Sequence, residues 1–377
     1  MTDLVNKLIR TELKDLVPYE SARRLFSMAN AAEVETTWLN ANENPYVPTV
    51  SINPEMYNRY PDFQPEPLIK GYANYAGVLP EQVLATRGAD EGIELLIRTF
   101  CSSNDNIIIC PPTYGMYAIS AKTHGCGVIT VPLLEIHGLE KAASNTSSLQ
   151  LDVETILANK QKANLIFICC PNNPTGDLVN TADIINIIES TADDCIVVLD
   201  EAYIEFCAEA TSVSLINKYD NVVVLRTLSK AFGLAGLRCG FTLTNNNIMD
   251  ALKKVIAPYP ISAPVAQIAA QTLSPDGINW MKSKVAELNA LRDSFITNAK
   301  TWSFVEKVYP SQTNFVLLKL NSKLTAATAM QTFQQQNVLL RDQSKQLMLE
   351  NTIRVSIGNQ QQMELVNSIF SKVEQSL

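Results

Sequence analysis

Residues 195–203 read Cys195-Ile-Val-Val-Leu-Asp200-Glu-Ala-Tyr203. The run is apolar on both alternating faces and then stops at two carboxylates. That is the pattern of a strand buried between two layers that ends at a polar edge. Moving outward, Asn106–Cys110, Val128–Leu133, Asn164–Cys169, Asn221–Arg226 and Cys239–Leu243 have the same character. Between them, Ala89–Phe100 places Ile93, Leu96, Ile97 and Phe100 on one helical face, and Thr181–Glu189 repeats the habit. Strand and helix patterns in alternation predict an α/β fold, with a large and mostly parallel sheet covered by helices on both faces.

After about residue 262 helical patterns dominate, broken by two β-like runs, Thr313–Leu318 and Thr352–Val355. This predicts a large domain over 38–262 and a smaller α+β domain over 263–377. The first 37 residues are helical in pattern, polar and too short to fold alone, so they are expected to lie as an arm on the small domain or on a partner subunit.

Composition excludes several functions. A net charge of -8, with no long run of Lys or Arg, argues against nucleic acid as a partner. No stretch approaches the roughly 20 apolar residues of a membrane span, and the opening MTDLVNKLIR is too charged for a signal peptide. Eight cysteines form no C-x-x-C pair, and most sit in apolar runs, as reduced buried thiols of a cytoplasmic protein do. The only histidines, His124 and His137, have no carboxylate or cysteine pair beside them. A zinc site or a Ser-His-Asp triad therefore lacks local support, no metal is expected, and proton transfer falls to a lysine, a tyrosine or a cofactor.

Three segments carry candidate chemistry. In Leu225-Arg-Thr227-Leu-Ser229-Lys230-Ala-Phe-Gly-Leu-Ala-Gly-Leu-Arg238, a strand runs into a hydroxyl-rich turn. Thr227 and Ser229 can donate to a phosphate, and Arg238 can clamp it with charge-assisted hydrogen bonds. Lys230 would then stand over a reactive carbonyl carbon, although a lysine in such a turn is ordinarily a solvated surface residue. Asp200 ends its strand where parallel sheets bind ligands, and a carboxylate there can keep a pyridine nitrogen protonated. An N-cap aspartate is its ordinary alternative. Cys170-Pro-Asn-Asn173-Pro-Thr-Gly176 again follows an apolar strand and reads as a turn, with the Asn173 amide at the same sheet edge. Upstream, Gly88, Ala89 and Asp90 open a helix whose free N–H groups can cradle phosphate.

Taken together, Asn-Pro-Thr-Gly, a strand ending Asp-Glu-Ala-Tyr, and Ser-Lys followed eight residues on by Arg resemble the fold-type I aminotransferases. Finer segments are similar to the histidinol-phosphate aminotransferase branch of that family. These are Pro18-Tyr19-Glu-Ser-Ala-Arg-Arg24, Leu39-Asn-Ala-Asn42-Glu-Asn-Pro-Tyr46, Arg59-Tyr60-Pro-Asp62, Pro111-Pro-Thr-Tyr114-Gly-Met-Tyr117, Ile256-Ala-Pro-Tyr-Pro260 and Leu340-Arg341-Asp-Gln343. The likeness runs from about residue 13 to residue 358, with Glu135–Ser148 the least similar stretch and a candidate loop insertion.

The resemblance implies a seven-stranded-type sheet, pyridoxal 5'-phosphate as cofactor, and amino transfer between glutamate/2-oxoglutarate and imidazole-acetol phosphate/histidinol phosphate. It makes Lys230 the Schiff-base lysine and proton carrier, with Asp200 on the ring nitrogen. Asn173 and Tyr203 fall on the phenolic oxygen and Tyr114 against the ring. Gly88, Ala89, Asp90, Thr227, Ser229 and Arg238 fall on the phosphate. It further implies a homodimer in which Tyr60 reaches the neighbouring subunit's cofactor. Arg354 would bind the α-carboxylate of glutamate, and Arg341 and Tyr19 the substrate phosphate, with Asn42 nearby. Burial and Arg238 are expected to depress the pKa of Lys230. Threonine-phosphate decarboxylases and aromatic aminotransferases share the fold, but the Tyr19–Arg24 and Leu340–Gln343 segments favour the histidinol-phosphate branch. A transcription regulator built on this fold needs a DNA-binding unit, for which the residues before the cofactor domain are expected to be too few and too acidic.

Overall fold

The computed structural model describes residues 3–14, 16, 36–54, 57–135 and 149–377. Tyr19 and the Arg23-Arg24 pair, His137, and most of the Glu135–Ser148 stretch therefore lie outside the described residues. The main sheet has seven strands: β1 (Val83–Thr86), β2 (Asn106–Ile109), β3 (Gly127–Thr130), β4 (Leu165–Cys169), β5 (Ile196–Asp200), β6 (Val222–Thr227) and β7 (Gly240–Thr244). Their spatial order is β1-β7-β6-β5-β4-β2-β3. Neighbours from β6 to β3 are parallel, whereas β7 runs antiparallel to both β6 and β1.

Each predicted strand is present, with ends moved by a few residues. β1 is an addition: Val-Leu-Ala-Thr is too short and too ordinary to stand out from the turn before it. The central parallel strands β4, β5 and β6 are buried along nearly their whole length because helices cover both faces, whereas β3 at the sheet edge is not. One core lies on the face that carries Ile166, Ile168, Val197, Leu199, Val222 and Val224. The other lies on the face that carries Leu165, Phe167, Val198, Val223 and Leu225. Alternate residues of each strand thus feed alternate cores, the period-2 rule of a pleated sheet.

Register sets the site. Cys169 pairs with Asp200, and Asp200 with Leu225, so β4, β5 and β6 end together at one edge. The helix Gly88–Phe100 follows β1 and brings its N-terminus to that edge. Gly240, at the start of β7, makes the approach possible: a Cβ there would lie 2.6 Å from the Ala89 nitrogen and 2.8 Å from the Arg226 carbonyl oxygen.

A second, four-stranded antiparallel sheet consists of β8 (Val305–Val308), β9 (Phe315–Leu320), β10 (Arg341–Asp342) and β11 (Thr352–Ser356), in the order β8-β9-β11-β10. The runs read from sequence supply β9 and β11; β8 and β10 are the further pair. The helix Pro275–Ala299 leads into this sheet and Gln360–Ser376 leaves it. Near the other end of the chain, Thr37–Trp38 pairs in parallel with Val338–Leu339, and Leu39 N–H donates to the Leu339 carbonyl. Residues 40–43 are thereby carried from the second sheet across to the edge of the main one. All eight cysteines are buried and unpaired, as expected. No described helix is long and apolar enough to cross a membrane.

Candidate active site

A cavity of about 450 Å³ opens where the carboxyl ends of β4, β5 and β6 face the second sheet. Its walls hold Asp90, Tyr114, Asn173, Asp200, Tyr203, Thr227, Ser229, Lys230 and Arg238 from the main sheet and its loops, with Arg341 and Arg354 from the second sheet. Asn40, Ala41, Asn42 and Glu43 line it from the strap between the two. Ala89 contributes at the helix start, next to Gly88.

Asp200 is the buried last residue of β5. Burial pushes its carboxyl up to about 6, opposed by the Tyr117 hydroxyl, which donates to Oδ2 at 2.6 Å, and by the Ala202 N–H, which donates to Oδ1 at 3.1 Å. It caps no helix through its side chain, so the N-cap reading does not apply. Beside it, the Tyr203 hydroxyl accepts from Asn173 Nδ2 at 3.3 Å and from Asn42 Nδ2 at 3.0 Å. Asn42 is itself fixed in the left-handed region (φ 54) by Ser356 and Asn314.

Lys230 follows β6 and donates to the Ala41 carbonyl oxygen at 3.2 Å, with its ammonium 5.5 Å from the Tyr203 ring centre. Burial first, then the Arg354 guanidinium, bring its pKa down to about 8, while Asp90 and Glu43 act the other way. Arg238 also lowers it, as expected, but by less than Arg354, which the second sheet supplies. An amine so placed is partly neutral near physiological pH, as a nucleophile or a proton carrier must be.

Two positively charged poles flank this centre. At one, Arg238 donates to the Ser229 hydroxyl at 3.1 Å and to Asp90 Oδ2 at 3.1 Å, and Thr227 donates to Ser229 at 2.9 Å. Arg238 has a left-handed backbone (φ 53), a conformation that costs a non-glycine residue roughly 1–2 kcal/mol and here turns the guanidinium back toward the helix start. Gly88 has φ +78, and a Cβ on it would lie 2.7 Å from Arg238 Nη2. Glycine suits this conformation and leaves the guanidinium undisturbed at the helix N-terminus, where backbone N–H groups favour an anion. Tyr114 donates to Asp90 Oδ1 at 3.0 Å and its ring stands edge-on to Tyr117. At the other pole Arg354 Nη1 donates to Asn173 Oδ1 at 2.6 Å and Nη2 to the Asn40 carbonyl at 3.1 Å, with the guanidinium 5.2 Å from the Phe315 ring. Arg341 is its cross-strand partner on β10.

Residues 33–369 match the family model described as aminotransferase class I and II. The chain belongs to the class I and II aminotransferases. Among relatives it is 47% identical to a histidinol-phosphate aminotransferase of Colwellia psychrerythraea over 374 residues, covering 97% of this chain and 99% of that one. It is 46% identical to the histidinol-phosphate aminotransferase of Salmonella typhi, covering 96% of this chain and 95% of that one. The fold is shared with the crystal structures of the histidinol-phosphate aminotransferases from Clostridium acetobutylicum (TM-score 0.80, 24% identity, 90% of this chain and 100% of that one) and Sinorhizobium meliloti (TM-score 0.80, 20% identity, 98% of each). The latter is described in complex with pyridoxal-5'-phosphate.

In this aminotransferase the cavity brings together every described residue singled out from the sequence except Gly88, which shapes it from behind Arg238, and Tyr60. Tyr60 is 80% exposed, outside the cavity, and stacked on Tyr259 with ring centres 4.4 Å apart. Sequence reasoning assigned no role to Tyr117, nor to the carbonyls of Asn40 and Ala41. Tyr117 was visible only as part of the Pro111–Tyr117 motif, and backbone carbonyls carry no side-chain signal. Among the described residues no group of His, Cys, Asp and Glu is arranged to hold a metal ion.

Proposed function

We propose that this aminotransferase uses pyridoxal 5'-phosphate to move an amino group between L-glutamate/2-oxoglutarate and imidazole-acetol phosphate/L-histidinol phosphate. One observation carries the reading: a partly neutral lysine and a buried carboxylate lie between two arginine poles in a single cavity. Fit to the cofactor is supported by its chemistry, since each polar part has a matching group. The space kept open at Gly88 beside Arg238, with Thr227, Ser229 and the N–H groups of Gly88, Ala89 and Asp90, suits a phosphate. Asp200 suits a protonated ring nitrogen, Asn173 and Tyr203 suit a phenolic oxygen, and Tyr114 offers a ring face.

When bound, the cofactor supplies an aldehyde that condenses with amines and a ring that takes up the electrons left by removal of a proton. The remaining chemistry belongs to this chain. Lys230 Nζ would carry the cofactor and, once freed from it, would shuttle a proton between the substrate's α-carbon and the cofactor carbon that bore the aldehyde. Asp200 holds the ring nitrogen protonated, and Tyr203 donates to the phenolic oxygen with Asn173 and Asn42 orienting it. Arg354 binds the α-carboxylate of glutamate. Arg341, with Tyr19 and Asn42, binds the phosphate of the second substrate, so one arginine-rich pole serves both anions in turn.

The same reading takes residues 38–262 as the cofactor-binding unit, 263–377 as the smaller one and 1–37 as an arm. It pairs two copies so that Tyr60 of each reaches the other's cofactor phosphate.

The test is the visible spectrum of the purified protein, followed with glutamate release after adding histidinol phosphate and 2-oxoglutarate. A yellow protein that forms glutamate is expected, and Lys230→Ala should lose both colour and turnover. A yellow protein indifferent to histidinol phosphate would assign the cavity another substrate, and a colourless one that takes up no pyridoxal phosphate would overturn the cofactor reading.

A further inference from the structure

The Tyr117 side chain has no role in the chemistry above, yet it is fully buried under the cavity. The helix Met116–His124 carries it, and its ring stacks on Phe167 of β4 with centres 4.9 Å apart. From that anchored position its hydroxyl donates to Asp200 Oδ2 at 2.6 Å. The Ala202 N–H holds the other oxygen. We propose that Tyr117 is a positioning residue: its hydroxyl keeps Asp200 ionised and fixes the carboxylate for a protonated ring nitrogen.

The argument is a balance of forces on one carboxylate. Burial disfavours its charge, and so do two nearby carboxylates, Asp90 from the helix Gly88–Phe100 and Glu201, the next residue in sequence. Cys169 on β4 and Tyr203 are buried neutral groups nearby, and neither holds a positive charge that would offset them. What remains on the ionised side are the Tyr117 hydroxyl and one backbone N–H. A hydrogen bond to the charged form favours that form, and an O–H to O⁻ bond of this length is of the strong, charge-assisted kind. Its loss would leave a carboxylate that takes the proton for itself rather than leaving it on the ring.

The inference rests on the proposed cofactor chemistry for its purpose but not for its first test. In the cofactor-free protein, the infrared band of the protonated carboxyl, assigned by its absence in Asp200→Asn, is titrated in the wild type and in Tyr117→Phe. Phenylalanine keeps the stack on Phe167, so the fold is retained. The midpoint is expected to rise by about one pH unit, a tenfold change in the protonated fraction at fixed pH. A more acidic phenol, 3-fluorotyrosine placed at this position by site-specific incorporation, is expected to move it the opposite way. In protein loaded with ¹⁵N-pyridoxal phosphate, the ring-nitrogen signal should be that of a protonated ring in the wild type and shift toward the unprotonated value in Tyr117→Phe. An unchanged midpoint in both variants would overturn the proposal. Failure of the wild type to bind pyridoxal phosphate would instead overturn the cofactor reading, leaving the titration to decide the role of Tyr117.

Discussion

Arg354 and Asn173 are joined by a 2.6 Å hydrogen bond that spans 181 positions of sequence and ties the second sheet to the loop after β4. Both residues line the cavity, so the guanidinium that lowers the pKa of Lys230 is aimed by Asn173, the residue proposed for the cofactor's phenolic oxygen.

The Lys230 amine is the place to test this. Its pKa is lowered from the ordinary lysine value to about 8, so its neutral fraction grows as pH rises through that point. Trapping pyridoxal phosphate on the protein with borohydride, and mapping the site by mass spectrometry, should give a midpoint near pH 8. Arg354→Ala removes a neighbouring positive charge, so the midpoint should move up and trapping at pH 7 should fall. The same variant should weaken both glutamate and histidinol phosphate. Loss of only one substrate would end the idea of a shared anion pole.

A second expectation concerns Gly88. An added methyl would meet Arg238 Nη2 at 2.7 Å in a backbone conformation that L residues rarely adopt. Gly88→Ala should displace the guanidinium and remove one charge-assisted contact to phosphate, worth about 1.5–3 kcal/mol. Affinity for pyridoxal phosphate, read by equilibrium dialysis, should weaken about ten- to a hundredfold. Pyridoxal without the phosphate should bind much as before.

Behind the site, Arg226 on β6 is buried and paired with Glu201 at 2.7 Å and Glu205 at 3.9 Å. Burial lifts Glu205 to about 7, with Arg226 opposing. Arg226→Ala leaves two buried carboxylates without a cation and should cost about 3–5 kcal/mol in urea unfolding at pH 8. A carboxyl whose folded pKa lies above its unfolded one stabilises at low pH and loses that contribution as pH rises through the folded value. The loss in Arg226→Ala should therefore shrink as the pH is lowered toward 6. An equal loss at both values would mean that Glu205 does not titrate in this window.

The sequence made the frame legible because buried parallel strands write themselves as continuous apolar runs, as in Ile196–Leu199 and Leu165–Cys169. Strand ends then marked Asp200, Asn173, Thr227 and Lys230, since ligands gather at carboxyl edges. What escaped was set by distance rather than by type. The partner of Asp200 is Tyr117, 83 positions earlier, and the dominant charge on Lys230 comes from a strand 124 positions later. Neither relationship leaves a local pattern. β1 and β8 were missed because a four-residue run is too short to stand out from loop until a neighbouring strand pairs with it.

The pairing of Thr37–Trp38 with Val338–Leu339 bears on how the chain is made. The ribosome releases residues 40–43 early, but the strand beside their anchor and the arginines that complete the cavity emerge some three hundred residues later. The seven strands of the main sheet are complete by residue 244, whereas Arg341 and Arg354 follow only about a hundred residues later. Cofactor captured on a nascent chain before those arginines emerge would therefore sit in a half-built pocket.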